Sequence, residues 1–246
     1  MLNSRRSAGQ RPPKYSVIGR TLRERILGGL YVQGARLPSE RMLQKEFAAS
    51  RVTIRLALEN LRRAGLVESR QGKGYFVRPV QALYDLGRLQ GFGEIVAALG
   101  LEARSLVLAI SQLPASTETA QALRLERGDR VVRIDRVRLA GERALSYDES
   151  YFPAGIGDAL ARLDLAHSDV FALLEGALGI ELGYADLTLE IIAAEPSIGL
   201  HLGVEAGKPL VRIRRLTFDL DGRPVDFEYL YGRADGFRFR VRAARW

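Results

Sequence analysis

The stretch SRVTIRLALE, residues 50–59, combines the apolar spacing of a helix with a row of cationic side chains. Ile54 and Leu58 are four positions apart, so they share one face of a helix. Arg51 and Arg55 share another face, and no acidic residue occurs between Arg51 and Leu58. An ordinary surface helix more often mixes Glu with its Arg residues, so this pattern favours a helix that lies against a negatively charged partner.

The residues on either side of this stretch predict a helix-turn-helix. An apolar residue recurs every three or four positions over residues 15–30, which predicts a first helix weakened at its end by two glycines. Ser39 follows a proline and precedes a second apolar stripe, so we expect it to cap a short helix that stops near Ala48. A third helix is predicted over residues 51–64, ending at Gly65. The amino end of such a third helix reaches base edges in the major groove of DNA.

A β-hairpin is predicted directly after the third helix. Apolar and polar residues alternate over residues 66–70 and 74–78, and QGKG joins the two segments. Gly72 and Gly74 tolerate positive φ, and Lys73 between them would lie beside phosphate. This hairpin would complete a winged helix. The glycines alternatively suggest a nucleotide-phosphate loop, but the strand–loop–helix context of such a loop is missing.

The distribution of charge separates the first third of the chain from the rest. The chain has 246 residues and a net charge of +8, and residues 1–79 contain 17 Lys or Arg but only 5 Asp or Glu. The remaining residues contain 20 basic and 24 acidic groups. This asymmetry favours a first module that meets a polyanion, although a basic face that only confers solubility remains the alternative.

Composition also bounds the class of protein. There is no cysteine, which excludes disulfides and thiolate metal sites, and no apolar run is long enough to span a membrane. The N-terminus is basic but has no apolar signal region, so we expect a flexible basic tail over residues 1–13 and a cytoplasmic protein. The two histidines, His167 and His201, have no metal-ligand spacing, so we predict neither a metal nor a cofactor.

The motifs over residues 34–77 resemble the winged-helix DNA-binding domain of the GntR family of bacterial transcription regulators. They comprise LPSER, SRVTIR, a GLV turn and the GKG wing. The resemblance implies that Arg41, Arg51 and Arg55 contact DNA, as does Gly74. The complete predicted DNA-binding set is Arg41, Ser50, Arg51, Thr53, Arg55, Gln71, Gly72, Lys73 and Gly74. For Ser39 a capping role is favoured over base contact, and for Glu40 an ion-pair or helix-dipole role.

The second half of the chain predicts an antiparallel α+β domain. Long alternating segments predict five to seven strands, with tight turns at Ala140-Gly141 and Asp221-Gly222. Helices are predicted at about residues 92–99, 116–123, 169–178 and 195–202. The fold class is therefore an N-terminal winged helix-turn-helix plus a C-terminal α+β domain.

The order of these segments resembles the UTRA effector-binding domain of the HutC subfamily of GntR regulators, whose fold resembles chorismate lyase. The matching segments run from GDRVVRIDRVRLAGERALSYDESYFP to DGFRF, within residues 80–240. We accordingly expect a DNA-binding domain over residues 14–78, a linker over 79–91, and an effector-binding and dimerisation domain over 92–246. The resemblance implies a homodimer on a palindromic operator in double-stranded DNA, regulated by a small molecule, and we expect a repressor.

Two arginines on one predicted strand are the leading effector candidates. Arg136 and Arg138 are two positions apart and point to one face, whereas Arg133 points to the other. Adjacent guanidinium groups repel unless an anion or carboxylates lie between them. The resemblance implies that this pair binds the acidic part of an effector; a solvated sheet face paired with Asp148 or Glu149 is the alternative.

Other effector candidates come from the resemblance alone. The complete predicted set is Arg136, Arg138, Asp148, Ser168, Asp169, Asp226 and Tyr231. This chain has Gly91 and Asp169 where members that sense sugar phosphates have serines. Because an extra carboxylate disfavours phosphate, we expect a small polar metabolite, acidic or zwitterionic. The alternative function is a lyase-like or hydrolytic domain with a DNA-binding appendage, but the sequence contains no nucleophile motif or triad order.

Overall fold

The computed structural model describes residues 12–78 and 81–245 and divides the chain into two compact units at residue 80. Most of the tail predicted over residues 1–13 lies outside the described residues. None of the helices formed by the described residues is long and apolar enough to cross a membrane.

The first unit is a winged helix-turn-helix, as predicted. Its elements are α1 Lys14–Leu27, α2 Glu40–Glu46, α3 Arg51–Arg63, β1 Val67–Arg70 and β2 Gly74–Val77. The two strands pair antiparallel, with Val67 opposite Val77. Ile54, Leu58 and Leu61 of α3 pack with Leu22 of α1 and Leu43 of α2 in one core. The predicted stripe ran to residue 30, but α1 ends at Leu27 because the glycine pair follows, and the side chain of Leu30 is exposed.

The second unit is built on a six-stranded antiparallel sheet. Its strands in spatial order are β4 Ala103–Pro114, β5 Arg130–Ala140, β6 Arg143–Pro153, β9 Pro224–Arg233, β8 Pro209–Asp219 and β7 Leu182–Ala193. The two predicted tight turns join β5 to β6 and β8 to β9, where Gly141 and Gly222 have positive φ. Long consecutive hairpins thus place the middle strands β5, β6, β9 and β8 side by side.

A short parallel pair of strands corrects the predicted linker. Residues 79–91 were expected to be a linker, but Ala82–Asp85 forms β3 and pairs with β10, Phe237–Arg240. Ala82 and Tyr84 are buried on one side of this strand. The partner strand lies about 150 residues away in sequence, so no local pattern could reveal the pairing.

Five short helices cover the two faces of the sheet. They are α4 Phe92–Ala97, α5 Thr117–Leu123, α6 Ala154–Leu160, α7 Val170–Gly176 and α8 Pro196–Leu202. Helices α4, α6 and α7 pack with Val132, Ile134 and Ile213 on one face. Helices α5 and α8 pack with Val131, Val137 and Phe227 on the other.

Helix α6 was not predicted. Its sequence AGIGDAL contains two glycines, which weaken a helical pattern. The reason for one of them is packing: a Cβ atom on Gly157 would overlap the side chain of Val132 on β5. The close approach of α6 to β5 therefore requires Gly157, and this glycine weakens the helical pattern in the sequence.

Candidate functional site

The first turn of α3 presents two arginines to solvent. The side chains of Arg51 and Arg55 are 70% and 64% exposed. Glu40 of α2 lies between them, with its Oε2 3.0 Å from Arg51 Nε and its Oε1 3.8 Å from Arg55 Nε. Arg41 on the same helix is also exposed. Both arginines are therefore accessible to a polyanion, although each lies within 4 Å of Glu40. These contacts agree with the ion-pair role expected for Glu40.

Serine caps fix the amino ends of α2 and α3. Ser39 Oγ accepts a hydrogen bond from the Met42 N–H at 3.3 Å, as predicted. Ser50 Oγ accepts from the Thr53 N–H at 3.3 Å and lies 2.8 Å from Thr53 Oγ1. Ser50, which was predicted to contact DNA, therefore caps α3, and the Thr53 hydroxyl lies against that cap; their contact with DNA stays a prediction.

The wing turn has the geometry that its glycines allow. Gly72 and Gly74 have φ of 70° and 98°, and Gln71 and Lys73 are exposed beside them. A Cβ atom on Gly74 would lie 3.4 Å from Nε of Arg36, an exposed cation to which the sequence reasoning gave no role. The pairing of Arg36 with Phe76 of the wing brings it there, and this pairing left no signal in the local sequence.

A cluster of buried charges occupies the sheet face that α4, α6 and α7 cover. We call it the charged face and define it by Arg136, Arg138, Asp148, Asp169, Arg215, Asp226 and Glu228. Arg136 and Arg138 share this face as predicted and are only 1% and 5% exposed, so the face is not solvated, although the pairing with Asp148 that the alternative expected is present. Glu149 lies on the opposite face, where it pairs with Arg133 at 2.9 Å.

Arg138 is held by two carboxylates and an aromatic ring. Its Nη1 lies 3.5 Å from Asp148 Oδ2, and its Nη2 donates to Asp169 Oδ2 at 2.9 Å. The guanidinium carbon lies 4.6 Å from the centre of the Phe92 ring. Burial and the nearby Glu228 raise the pKa of Asp148 to about 6, although Arg138 and Arg136 oppose the shift.

Asp169 joins two helices to Arg138. Its carboxylate caps α7 by accepting from the Phe171 N–H at 3.0 Å, and it accepts from the Gly93 N–H of α4 at 2.9 Å. A Cβ atom on Gly91 would overlap this carboxylate, so Gly91 leaves the space that Asp169 fills. Burial raises the pKa of Asp169, but Arg138 and the two N–H groups outweigh it and hold the pKa below its usual value.

A second chain of contacts runs through Arg136 and Arg215. Arg136 Nη2 donates to Ser150 Oγ at 3.1 Å, and Ser150 donates in turn to Glu228 Oε2 at 3.2 Å. Arg215 Nη2 lies 2.6 Å from Glu228 Oε1, and its Nη1 donates to the Tyr84 hydroxyl at 3.3 Å. Arg215 was not predicted, because its contact with Tyr84 joins residues 131 positions apart and leaves no signal in the local sequence.

Several polar atoms of the charged face, including Nε of Arg138 and Nε of Arg215, are buried without a hydrogen-bond partner among the described residues. Both carboxylate oxygens of Asp226 lack a hydrogen bond, as do Nε and Nη1 of Arg136. Burial and Glu228 raise the pKa of Asp226 well above its usual value, against Arg215 and Arg136. Burial and Arg138 lower the pKa of Arg136. Polar groups of this kind are rare without a partner in protein interiors, so they are sites where a water molecule or a ligand can bind.

The structure separates Tyr231 from the other effector candidates. Tyr231 pairs with Arg212 and Tyr147 on the opposite face of the sheet and stacks on the Tyr147 ring with centroids 5.9 Å apart. Tyr231 was predicted from the family resemblance alone. It lies on β9 five residues after Asp226, and an odd separation along a strand reverses the face. Ser168 is half-buried beside Asp169, yet Asp169 supplies the side chain that reaches Arg138.

Two family models match the two units. The model described as "Bacterial regulatory proteins, gntR family" matches residues 14–77, and the model of the UTRA domain matches residues 98–238. The second match alone covers more than half of the chain.

Curated relatives and solved structures agree with these matches. The chain is 29% identical over 237 residues to the HTH-type transcriptional regulator Rv0792c of Mycobacterium tuberculosis, covering 95% of this chain and 87% of that protein. It is 27% identical over 233 residues to the mannosyl-D-glycerate transport/metabolism system repressor MngR of Escherichia coli K12, covering 95% and 97%. The crystal structure of PhnF from Mycobacterium smegmatis shares the fold, with a TM-score of 0.68 at 24% identity over 92% of this chain and 99% of PhnF. The chain therefore belongs to the GntR family of bacterial transcription regulators, in the HutC-type group whose winged helix precedes a UTRA domain.

Proposed function

We propose that this regulator binds a palindromic operator as a homodimer and that a small polar metabolite, bound at the charged face, releases the DNA. The observation that carries the proposal is the exposed cationic amino end of α3, where Arg51 and Arg55 are 70% and 64% exposed, together with the exposed wing residue Lys73. The amino end of a recognition helix reads base edges, while wing and flanking cations bind phosphate. Two copies related by a two-fold axis would read two equivalent half-sites.

The charged face is the proposed effector site. It contains buried polar atoms that have no hydrogen-bond partner among the described residues. A cluster with a purely structural role would be expected to satisfy these atoms within the chain. A ligand that binds one arrangement of the dimer more tightly shifts the population toward it, and DNA release then follows from the difference in affinity. The relative MngR is named a repressor, which supports repression as the outcome.

The edge strand β4 supports a dimer contact through the second unit. Leu106, Leu108 and Ile110 are exposed on this strand, the first of them at 56%. Exposed apolar side chains on an edge strand are a liability unless another surface covers them. We therefore expect Leu106→Lys combined with Leu108→Lys to lower the dimer fraction in sedimentation without unfolding the protein.

We further propose a cytoplasmic regulator that binds its effector without turnover. A bacterial regulator must reach the chromosome, and the relatives Rv0792c and MngR are named as a transcriptional regulator and a repressor. Mixing the full chain with its effector should therefore give saturable binding and unchanged ligand. Consumption of the ligand would support the enzymatic alternative.

The test of the proposal is selection of the operator from a random duplex library with the full-length protein. We expect enrichment of a symmetric sequence with two half-sites, bound by two chains per duplex in sedimentation. An enriched sequence without symmetry, bound by one chain, would contradict the dimeric operator. No enrichment under conditions where the protein is folded would contradict specific DNA binding.

A further inference from the structure

We propose that the Asp169 carboxylate is an internal anion, which means that it occupies the position in the effector site that an anionic group of a ligand could take. The effector then carries no phosphate at that position and is a small amine that contacts Asp226 and Arg136. This inference rests on the proposed effector role of the charged face and narrows the class of ligand. Three donors converge on the Asp169 carboxylate: the N–H groups of Gly93 and Phe171 and Arg138 Nη2. The position that a ligand anion could take is thereby filled by the chain itself.

The space around Asp169 is built for this carboxylate. A side chain at residue 91 would overlap it, because even a Cβ atom there would meet Asp169 Oδ1. The next glycine, Gly93, leaves only ordinary contact, with its Cβ position 3.5 Å from Asp169 Cβ. The Asp169 carboxylate thus fills the space next to its three hydrogen-bond donors. A phosphate could bind these donors only by displacing the carboxylate.

The charges that remain on this face favour a cationic ligand. Four carboxylates, Asp148, Asp169, Asp226 and Glu228, face three guanidinium groups, those of Arg136, Arg138 and Arg215. Asp148 and Asp169 are bonded to Arg138, and Glu228 is bonded to Arg215. Asp226 is the remaining carboxylate and has no donor among the described residues. Burial raises the pKa of Asp226, so without a donor this group keeps its proton, and an ammonium group would supply the missing donors and stabilise the ionised carboxylate.

The ligand must also offer an acceptor. Arg136 is fully buried, and its Nε and Nη1 have no partner among the described residues, although Nη2 donates to Ser150. The nearby Thr217 hydroxyl, opposite Asp226 on β8, is also without a partner. A small molecule with an ammonium group and a hydroxyl or carboxylate oxygen satisfies Asp226 and Arg136 together.

The first experiment measures melting temperature of the full-length protein against inorganic phosphate. The parent should show no saturable increase, because Asp169 occupies the donors. Asp169→Ser should gain a saturable increase, and the added change Arg138→Ala should remove it. The matched control is Asp158→Ser, which removes a half-buried carboxylate 2.8 Å from Arg130, outside the charged face, and should gain nothing. Saturable phosphate binding by the parent that requires Arg138, or no gain in folded Asp169→Ser, would overturn the internal anion.

The second experiment leaves Asp169 unchanged and tests the amine. Amino acids, amino sugars and diamines are compared with their deaminated counterparts and phosphate esters. An amine without phosphate should raise the melting temperature of the parent by several degrees at about 100 times its Kd. Asp226→Asn should abolish this increase. Equal stabilisation by the deaminated counterpart or the phosphate ester, or an increase that persists in Asp226→Asn, would overturn the proposal.

Both readouts are independent of DNA. A failure of either experiment in a protein that still binds its operator would refute the ligand class and leave the proposed regulator intact. A protein that binds the amine but enriches no operator would refute the proposed DNA-binding role and leave this inference intact.

Discussion

The arginines of α3 and the arginines of the charged face carry the same group in opposite surroundings. Arg51 and Arg55 are largely exposed, with Glu40 as their only carboxylate neighbour among the described residues. Arg136 and Arg138 are buried under α4 and α7. The surroundings of a guanidinium group, and not the residue type, therefore decide whether it is available to DNA or to a small molecule.

The free energy of hydration explains why exposed and buried arginines differ in what they bind. An exposed guanidinium group keeps its hydration, and it binds phosphate with release of counterions, so its effect depends on salt. A buried guanidinium group loses its hydration and needs carboxylates and acceptors in compensation. Such a group responds strongly to a ligand that completes its bonding and little to salt in the solution.

The largest effect expected from this comparison is on stability. Arg215→Met removes the buried partner of Glu228 and leaves its carboxylate near Asp226 without compensation, so the free energy of unfolding should fall by about 3–5 kcal/mol. The adjacent Arg214→Met is the matched control, because Arg214 points to the other face and forms only an exposed pair with Glu118 at 3.4 Å. Its cost should be about 0–1 kcal/mol in denaturant unfolding. Equal costs would contradict the compensation of charge on this face.

A smaller effect is expected on DNA binding. Arg51→Ala should weaken binding to the selected operator by about 1–3 kcal/mol without changing the melting temperature. Arg63→Ala is the control, since Arg63 is equally exposed but lies in the last turn of α3 beside Glu59. Fluorescence anisotropy with labelled operator measures both. If Arg63→Ala weakened binding more than Arg51→Ala, the amino end of α3 would not be the reading end.

The fit of Asp169 can be tested with two glycines. Gly91→Ala forces a Cβ atom into the Asp169 carboxylate and should lower the free energy of unfolding by about 1–3 kcal/mol. Gly93→Ala meets only ordinary contact and gains helix propensity, so it should be neutral or stabilising. Combining Gly91→Ala with Asp169→Ser should recover part of the loss, whereas simple additivity of the two changes would contradict the contact.

The smallest effect is on the pH dependence of stability. The pKa of Asp226 is raised by burial and by the neighbouring charges of Glu228 and Asp148, against the opposing effect of Arg215 and Arg136. The folded protein therefore keeps a proton on Asp226 that the unfolded chain releases near pH 4. The free energy of unfolding therefore falls as pH rises from about 4 through the folded pKa. Asp226→Asn lacks this proton, so its stability relative to the parent should increase by about 1 kcal/mol over one pH unit in that window. A constant difference between pH 4 and 7 would contradict the shift.

Local patterns predicted the first unit well and the second only in part. The cap at Ser39, the ends of the helices and the wing depend on neighbouring residues, so they could be predicted from the sequence of residues 14–78. The cap at Ser50 was not predicted, although Ser50 immediately precedes α3. Alternation placed Arg136 and Arg138 on one face, as the structure has them. The partner of β3 and the role of Arg215 depend on residues more than 100 positions away, and local spacing carries no information on such contacts. Tyr231 was expected from the family resemblance; it lies on the face of β9 opposite Asp226, and its effector role stays a prediction.

The most direct test of the central claim is the salt dependence of binding between the full-length protein and duplex DNA. We predict that the logarithm of the affinity falls linearly with the logarithm of the salt concentration, with a slope of about −0.9 per phosphate contacted. Lys73→Ala should reduce the magnitude of that slope by about one, and Arg138→Ala should leave it unchanged. Affinity that does not change with salt, or a slope that Arg138→Ala reduces as much as Lys73→Ala does, would contradict the division between exposed cations that bind DNA and buried ones that bind a small molecule.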